Sequence, residues 1–529
     1  MLSDYFAKYT KGDLPVIAVL ALVTLGVHLI NLGMMPLIAD EGIRATVSLE
    51  MLISGNWLEP TTWGEPYYYK TPLYNWIVAA FFYLFGSSEF VFRLPSVLAL
   101  FGLGLSVFVI ARESLGKKFA AYAAFAFVLS GRILTRDSML GHIDLFFSLV
   151  TFWQIYSIYF LIKKKDLLKF FVLSYGLMAL GVLMKGFPSI LFQVLSLAII
   201  VIESRSIKPL LRWQHLLGIL LGIVLVAAYF IPFALQGDEQ AYLDRLMRQS
   251  SEPTLFKKHF MELFIQLFKF PFEQLLHLFP TSIFLIILSK KGTLKAIWQN
   301  QFLRFTFWAF VLNVIPYYLS PGYYPRYLFM LYPLLFIIAF YLIGKTELNS
   351  FNKVFSFFWR TLLLLMFISI PIGAFLLEME PKWLYYILVF ASIILCSFMY
   401  LMHRKKAFST YVLAFASLLL FRLIFDLAVI PYRVNEERGS KVQQKEHCER
   451  ILEITEGKYI DAWKHVPLSE NFAFYIEREK MRIIRKTYDL ESGIFYLIPS
   501  DASAKLGLKE HYRFKTGYMN SEVVLVYKP

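Results

Sequence analysis

Cysteine and charged residues are scarce in this chain. Its 529 residues include two cysteines, and Asp, Glu, Lys and Arg together make up 17% of the sequence. Cys396 lies in an apolar run and Cys448 in a polar tail, an arrangement that does not favour a disulfide between them. Two thiols are also too few for a cysteine-rich metal cluster. The sequence shows no internal repeat and no low-complexity tract.

Apolar residues dominate instead, and they occur in long blocks. Hydrophobic residues account for 58% of the chain and aromatic residues for 18%, more than a soluble protein of this length could bury. The stretch after Lys11 is too long for the apolar part of a signal peptide and lacks a cleavage site of small residues, so we expect it to stay as a span. The blocks that approach the ~20 residues needed to cross a bilayer are 14–32, 141–162, 214–235, 326–343, 359–377, 384–402 and 409–430. The sequence therefore predicts an α-helical polytopic membrane protein.

The chain has a formal net charge of +15. The positions of its basic residues indicate membrane topology rather than a nucleic-acid-binding surface. Lys and Arg cluster in short loops between the apolar blocks, which is typical of cytoplasmic loops. If 73–85 lies along the membrane surface and 119–131 crosses it, nearly all basic clusters fall on one side. Those clusters lie in 112–118, 163–169, 203–212, 290–304, 344–360 and 402–406. This arrangement predicts about thirteen transmembrane helices and no nucleic-acid partner.

The same topology places the other loops outside the cytoplasm. They are 33–93, 132–140, 236–273 and 320–325. Residues 1–432 form the predicted transmembrane domain, in which the first exterior loop, 33–93, carries the candidate acids. Residues 433–529 change in composition, because the apolar runs shorten to strand length in "YIDAW", "IFYLIP" and "EVVLVY". We expect a small extracytoplasmic α/β domain there.

Unusual polar residues converge on this exterior side. Cations beside carboxylates suit a substrate with a phosphate on a lipid tail, since Lys and Arg can bind the phosphate and a carboxylate can take a proton from a hydroxyl. Each residue alone also has a plainer explanation. A carboxylate pair at a helix end is often only solvated, a single interfacial lysine often extends toward water, and Arg422 with Asp426 fits an intrahelical pair in the last span. The polar residues on this side are Asp40, Glu41, Arg44, Glu50, Glu65, Lys70, Arg132, Arg136, Asp137, His142, Asp144, Lys185, Asp238, Glu239, Arg245, Arg248, Lys257, Lys258, His259 and Arg326.

An ordered set of motifs resembles one family of membrane enzymes. Asp40-Glu41 follows the first span, and it is followed by Glu50-Met51 through Pro60, Tyr67 through Trp76 and Arg93-Leu94-Pro95-Ser96. The resemblance continues through "MLGHIDLFFSLVTFW", "GVLMKGFPSILF" and "PRYLFMLYPLLF" and covers about the first 345 residues. As a set, these motifs resemble the GT-C membrane glycosyltransferases related to lipid A 4-amino-4-deoxy-L-arabinose transferase, with protein O-mannosyltransferases as more distant relatives.

The resemblance implies an inverting sugar transfer from a polyprenyl-phosphate donor to a lipid A-type or other lipid or glycan acceptor. Asp40 would be the general base, and Asp144 would orient the acceptor or stabilise an oxocarbenium-like transition state. Glu41 would be the second choice as base, or would hold Lys70. The implied substrate- and phosphate-binding residues are Lys70, Lys185, Arg248, Arg326 and Tyr327. The implied location is a bacterial inner membrane, with the site facing the periplasm and membrane lipids around it.

The sequence departs from the family pattern at three positions. The acidic residue before the motif lysine, a metal ligand in the aminoarabinose transferase, is Tyr69 here, and His259 is the remaining histidine candidate in the 236–260 loop. We therefore expect transfer without a cofactor and without a divalent metal. The lysine motif reads Lys70-Thr71-Pro72, and Arg44 stands where the family carries a tyrosine, which points to another sugar or acceptor.

Two other functions remain in competition. A protein O-mannosyltransferase would use a protein hydroxyl as acceptor. A transporter or flippase of lipid-linked sugars would use the same cations without chemistry. Transporters favour charges and broken helices near the membrane midplane, arranged in repeats, whereas here the charges gather at one face, which favours the enzyme.

Overall fold

A computed structural model describes residues 13–38, 40–236, 240, 242, 244, 260–320, 323–345, 349–376, 381–436, 440–516 and 521–529. Helices dominate this part of the chain. The α-helices are α1 Asp13–Leu29, α2 Glu41–Ser54, α3 Leu73–Phe85, α4 Glu89–Val128, α5 Gly131–Thr135, α6 Ile143–Lys164, α7 Leu167–Lys185, α8 Pro188–Ser204, α9 Trp213–Ala234, α10 Phe260–Leu278, α11 Thr293–Gln299, α12 Gln301–Tyr318, α13 Tyr332–Lys345, α14 Asn349–Leu376, α15 Lys382–Arg404, α16 Thr410–Ile424, α17 Ile430–Glu436, α18 Ser440–Thr455, α19 Glu470–Lys480 and α20 Ser500–Leu506. Short 3₁₀ turns occupy Asp137–Met139, Lys208–Leu211, Thr281–Ser289 and Pro325–Leu328, and a π-helical turn Phe425–Val429 follows α16.

Seven helices in the described residues are long and apolar enough to cross a membrane. In the spans of α9, α14 and α15, only 22% of the apolar window is buried inside the protein. Their exposed sides carry large apolar residues such as Leu220, Ile223, Phe390 and Ile394, which suits contact with lipid. The polytopic helical class is therefore confirmed, and the count of about thirteen spans stays a prediction.

A single glycine interrupts the helical structure at the basic cluster 112–118. We predicted a loop at 112–118, but helical structure runs from Glu89 to Val128 and is interrupted at Gly116, with φ 76° and ψ 156°. A residue with a side chain rarely adopts this conformation. Charged residues at a membrane surface do not by themselves end a helix, so the basic stretch remains helical on both sides of Gly116.

The first exterior loop folds into two short helices and a small hairpin. Helix α2 ends at Gly55, whose left-handed conformation caps it through a backbone hydrogen bond to Met51, as is common at helix ends. Strands β1 Thr61–Thr62 and β2 Glu65–Pro66 pair antiparallel. Helix α3 has 13 residues, about 20 Å, which is shorter than the ~30 Å hydrocarbon core.

The C-terminal part contains a five-stranded mixed sheet. Its strands are β3 Ile460–Trp463, β4 Lys486–Thr487, β5 Ile494–Pro499, β6 Glu510–Lys515 and β7 Glu522–Lys528, in the spatial order β4-β3-β5-β7-β6. β3 pairs parallel with β4 and β5, and β7 pairs antiparallel with β5 and β6. The buried strands alternate with polar helices, as the composition of 433–529 predicts, and the side of the membrane on which they lie stays a prediction.

Helix α19 of this sheet domain rests directly against α2. Thr46 Oγ1 donates to the Glu470 carbonyl at 2.9 Å, and Asn471 Nδ2 donates to the Leu37 carbonyl at 2.8 Å. The approach is so close that a Cβ on Gly42 would lie 2.1 Å from Asn471 Oδ1. The sheet domain therefore packs on the helix that begins immediately after Asp40.

Candidate active site

An ion-pair network joins the ends of α6 and α7 to the turn before α13. Asp144 lies in the first turn of α6 and Lys185 is the last residue of α7. Lys185 Nζ lies 2.5 Å from Asp144 Oδ1, and Arg326 Nε lies 3.2 Å from Asp144 Oδ2. Asp144 is 3% exposed. Two cations therefore hold one buried carboxylate.

Arg326 extends this network to Asp40. Its Nη2 lies 2.9 Å from Asp40 Oδ2, and its Nη1 lies 3.4 Å from His142 Nε2. The side chain of Asp40 is 61% exposed, whereas that of Arg326 is 14% exposed. Asp40 thus combines a fixed position with access to an incoming substrate, as a general base requires.

Tyr327 forms one wall of the cluster. Lys185 Nζ lies 3.9 Å from the centroid of its ring, and the guanidinium carbon of Arg326 lies 5.9 Å from the same centroid. Cations at these distances from an aromatic face are attracted to it. The ring therefore helps to hold both cations beside Asp144.

Lys70 faces the same cluster from the loop between β2 and α3. Burial lowers its pKa to about 7, and the positive charges of Arg44 and Lys185 act in the same direction, while Asp144 and Asp40 oppose them. The hydroxyl of Tyr242 donates to the Lys70 carbonyl at 3.3 Å. The network thus joins Asp40, Asp144, Lys185, Arg326 and Tyr327, and its charges act on Lys70. Arg248 and His259 lie outside the described residues.

Glu41 does not hold Lys70, which corrects that expectation. Its Oε1 and Oε2 accept from Arg93 Nε and Nη2 at 2.9 and 2.8 Å, and the carboxylate also accepts from the backbone amides of Gly141 at 2.7 Å and Ile38 at 2.9 Å. Burial alone would raise the pKa of Glu41, but Arg93 and these donors hold it below its usual value. With both oxygens bonded and the residue 1% exposed, Glu41 fixes the position of the loop rather than meeting a substrate.

Arg93 also has three backbone acceptors, and sequence reasoning missed its role. Its guanidinium donates to the carbonyls of Leu32, Met35 and Pro36 at 2.8, 2.9 and 3.0 Å. These contacts attach the start of α4 to the segment that leads to Asp40. In the sequence, Arg93 lies at the start of an apolar block and belongs to the Arg93-Leu94-Pro95-Ser96 motif, and neither feature indicates which groups it contacts.

The position of the family's metal ligand does not fit a metal here. Tyr69 is 45% exposed, and a neutral phenol is a weaker ligand for a divalent ion than a carboxylate. Within the described residues, no three or more His, Cys, Asp or Glu side chains group so as to hold a metal ion. Metal-independent transfer stays a prediction.

Comparison with known proteins agrees with the motifs. The family of dolichyl-phosphate-mannose-protein mannosyltransferases matches residues 69–231, a range that contains Lys70, Asp144 and Lys185. Two curated relatives are undecaprenyl phosphate-α-4-amino-4-deoxy-L-arabinose arabinosyl transferases. The one from Pseudomonas savastanoi pv. phaseolicola is 25% identical over 44% of this chain and 43% of its own length. The one from Serratia proteamaculans is 29% identical over 37% of this chain and 35% of its own length.

A solved structure shares the fold over nearly the whole chain. ArnT from Cupriavidus metallidurans bound to undecaprenyl phosphate superposes with a TM-score of 0.67 at 16% identity, covering 98% of both chains. The chain is similar to these membrane transferases in part of its sequence and in its fold. The resemblance inferred from the motifs is confirmed, and the fold is of the GT-C type. The sequence alignments span about two fifths of the length of the curated relatives.

Proposed function

We propose that this protein is a membrane glycosyltransferase that moves a sugar from a polyprenyl-phosphate donor to a lipid A-type or other lipid or glycan acceptor. The observation that carries the proposal is Arg326, which contacts both Asp40 and Asp144. Through this one side chain, the accessible carboxylate of Asp40 is connected to the buried cations around Asp144. A base beside an anion-binding site is what attack on a phosphate-linked sugar needs.

The reaction follows from the accessibility of Asp40. The acceptor hydroxyl gives its proton to the Asp40 carboxylate, and the acceptor oxygen attacks the anomeric carbon. The bond from that carbon to the phosphate oxygen breaks, and its electron pair leaves with the polyprenyl phosphate. Because one base and one displacement suffice, the anomeric configuration inverts. Lys70 binds the phosphate and stabilises the charge that develops on it.

Asp144 and the residues around it act by positioning. Asp144 forms ion pairs with Lys185 and Arg326, and Arg326 in turn forms one with Asp40. The cations also supply positive potential in a partly dry site, where it acts more strongly than in water. Arg248 joins the phosphate ligands, as the family resemblance implies.

The topology that suits this function has about thirteen spans and an outward-facing site in a bacterial inner membrane. Residues 1–432 form the transmembrane domain, and residues 433–529 form an α/β domain on the outer face. The contact of α19 with α2 supports an outer-face position of the α/β domain. A domain packed on the helix after Asp40 lies on the same side of the membrane as the site.

A protein acceptor is the second candidate. The match over 69–231 to the protein mannosyltransferase family favours it. Donor binding and base catalysis would be unchanged, and the acceptor oxygen would belong to a serine or threonine.

The test is a transfer assay with purified protein in detergent. Polyprenyl-phosphate donors carrying neutral, acidic and amino sugars are each offered with lipid A and, separately, with a serine- and threonine-rich peptide. We expect transfer to one acceptor with inversion at the anomeric carbon, determined by NMR of the product. Transfer with retained configuration would refute the single displacement. Donor binding without transfer to either acceptor would make the protein a carrier of lipid-linked sugars.

A further inference from the structure

Arg44 is a buried cation that has no carboxylate partner among the residues the structure describes. It lies on α2, one helical turn after Asp40, and is 6% exposed. Its guanidinium makes one long hydrogen bond, from Nη1 to Asn75 Oδ1 at 3.4 Å, and lies 5.6 Å from the ring centroid of Tyr67. Within the described residues no acid lies within ion-pair distance of it. A charge buried in this way is costly unless an anion accompanies it.

The neighbouring side chain also lacks an acceptor. Asn75 lies on α3, is fully buried, and directs its Oδ1 at Arg44. Among the described residues, its Nδ2 group has no hydrogen-bond partner. Turning the amide over would set Nδ2 against the guanidinium, so the orientation is fixed by Arg44. Two adjacent groups thus offer hydrogen-bond donors. The guanidinium has one long hydrogen bond, to Asn75 Oδ1, and the Asn75 Nδ2 group has no acceptor among the described residues.

The other charges of the site do not meet this need. Asp40 and Asp144 both form ion pairs with Arg326, and Asp144 also forms one with Lys185. The positive charge of Arg44 reaches Lys70 and Lys185, so the three cations repel one another. In the proposed function the single negative charge of the donor's phosphodiester is bound by Lys70. The charge on Arg44 then remains uncompensated.

We propose that Arg44 and Asn75 form an anion subsite that binds a second anionic group of the substrates, distinct from the donor's phosphodiester. This inference rests on the proposed function and narrows its substrates. The group is a carboxylate on the transferred sugar or a phosphate on the acceptor, because both present the paired oxygens that a guanidinium binds. If the group is on the transferred sugar, the site disfavours aminoarabinose, because an amino sugar would bring a second cation to Arg44.

The test measures equilibrium binding to the full-length protein in detergent, for wild type, Arg44→Gln, Arg44→Lys and Asn75→Ala. Arg450→Gln is the control, because Arg450 is an exposed arginine of the sheet domain. One arm titrates polyprenyl-phosphate glucuronate against the glucose and aminoarabinose analogues. The other arm titrates bisphosphorylated lipid A against the dephosphorylated lipid. Melting temperature is recorded for each variant without ligand.

We expect the anionic member of one arm to bind wild type roughly 10- to 100-fold more tightly than its neutral counterpart, as for a hydrogen-bonded charge pair. Arg44→Gln should abolish that preference, Asn75→Ala should reduce it, and Arg44→Lys should keep part of it. If Arg44→Gln loses the preference in the donor arm, the bound group is the sugar carboxylate. If it loses the preference in the acceptor arm, the bound group is the acceptor phosphate. Without ligand, Arg44→Gln should melt at or above the wild-type temperature, because it removes an uncompensated charge.

Two results would overturn the subsite. They are an equal loss of affinity for charged and neutral ligands in Arg44→Gln, and no loss of affinity for any ligand. Failure of the proposed function looks different. In that case wild type keeps its preference for the anionic ligand but transfers no sugar from any donor.

Discussion

Arg326 donates from Nη2 to Asp40 Oδ2 across 2.9 Å, although 286 residues separate the two in the chain. Its Nε faces Asp144 at the same time. Lysine carries its donors on a single nitrogen and lacks the planar fork of arginine, so it cannot reproduce contacts that Arg326 makes from two separate nitrogens. Arg326→Lys should therefore lower the transfer rate by about 10- to 100-fold through misplacement of Asp40. The measurement is the transfer rate per folded molecule, with Arg450→Lys as the control. A wild-type rate in Arg326→Lys would show that the contacts of Arg326 with Asp40 and Asp144 are not needed to position Asp40.

The protonation of Lys70 should make donor binding depend on pH. Burial lowers its pKa to about 7, so Lys70 is charged below that pH and neutral above it. The phosphodiester of the donor stays negative throughout, so donor affinity should fall as the pH rises from 6 to 9. Lys70→Arg stays protonated over this range and should remove the dependence. If the donor affinity of wild type stays constant or rises with pH, Lys70 does not bind the phosphate in its charged form.

Glu41 and Arg93 should govern stability rather than chemistry. Their paired, fully buried side chains predict that Glu41→Gln leaves an unmatched buried guanidinium, at a cost of roughly 3–5 kcal/mol. Thermal unfolding in detergent should show a clear drop in melting temperature for Glu41→Gln and little change for Asp40→Asn, since Asp40 is largely exposed. Equal melting temperatures for the two variants would contradict this assignment.

Glu50 and Glu477 should make the contact between α2 and the sheet domain sensitive to pH. Burial raises the pKa of Glu50 to about 7, and burial beside Glu50 raises that of Glu477 well above its usual value. Glu50 also accepts from the Gly64 amide at 3.2 Å and Glu477 from the Ile484 amide at 2.9 Å. The folded state therefore holds a proton that the unfolded state loses near pH 4.5. The associated stability is full below that pH and is lost as the pH rises through 7.

Glu50→Gln imitates the protonated carboxyl group and should remove this loss. We expect it to raise the free energy of unfolding by roughly 1–3 kcal/mol at pH 8.5 and to leave it unchanged at pH 4. Melting temperatures at the two pH values check the difference. Glu477→Gln should behave in the same way, and destabilisation by Glu50→Gln at pH 8.5 would show that the carboxylate is needed in its ionised form.

Much of the site could be predicted from the sequence because topology and motif order reinforce each other. Asp40, Lys70, Asp144, Lys185 and Arg326 each lie at the end of an apolar block or in a loop assigned to the same face, and they meet in the structure. The pairing within that set could not be predicted. Which acid meets which cation depends on how helix ends approach one another, and sequence distance carries no information on that.

Glu41 and Arg44 show this limit most clearly. Both lie within one turn of Asp40 in sequence, yet Glu41 turns to Arg93 at the start of α4, and Arg44 turns to Asn75 on α3. A helix directs successive residues to different neighbours. Residues that are neighbours in the motif therefore do not contact the same groups in the structure.

The C-terminal sheet shows a second limit. The three apolar runs that we predicted as strands are β3, β5 and β7. Strand β6, with the sequence "EHYRFK", was missed because it lies at the edge of the sheet and is mostly exposed. Charged side chains on an edge strand prevent pairing with other chains, and they also hide the strand from a search for apolar runs.

The most direct test of the central claim is the rate of sugar transfer by Asp40→Asn, measured with donor binding and melting temperature on the same preparation. The control is Asp489→Asn, an exposed aspartate on the sheet domain. If Asp40 is the base, Asp40→Asn should fold and bind donor as wild type does but transfer at least about 100-fold more slowly, while the control keeps the wild-type rate. A folded Asp40→Asn protein that transfers sugar at the wild-type rate would contradict the account, and the base would then have to be sought elsewhere in the site.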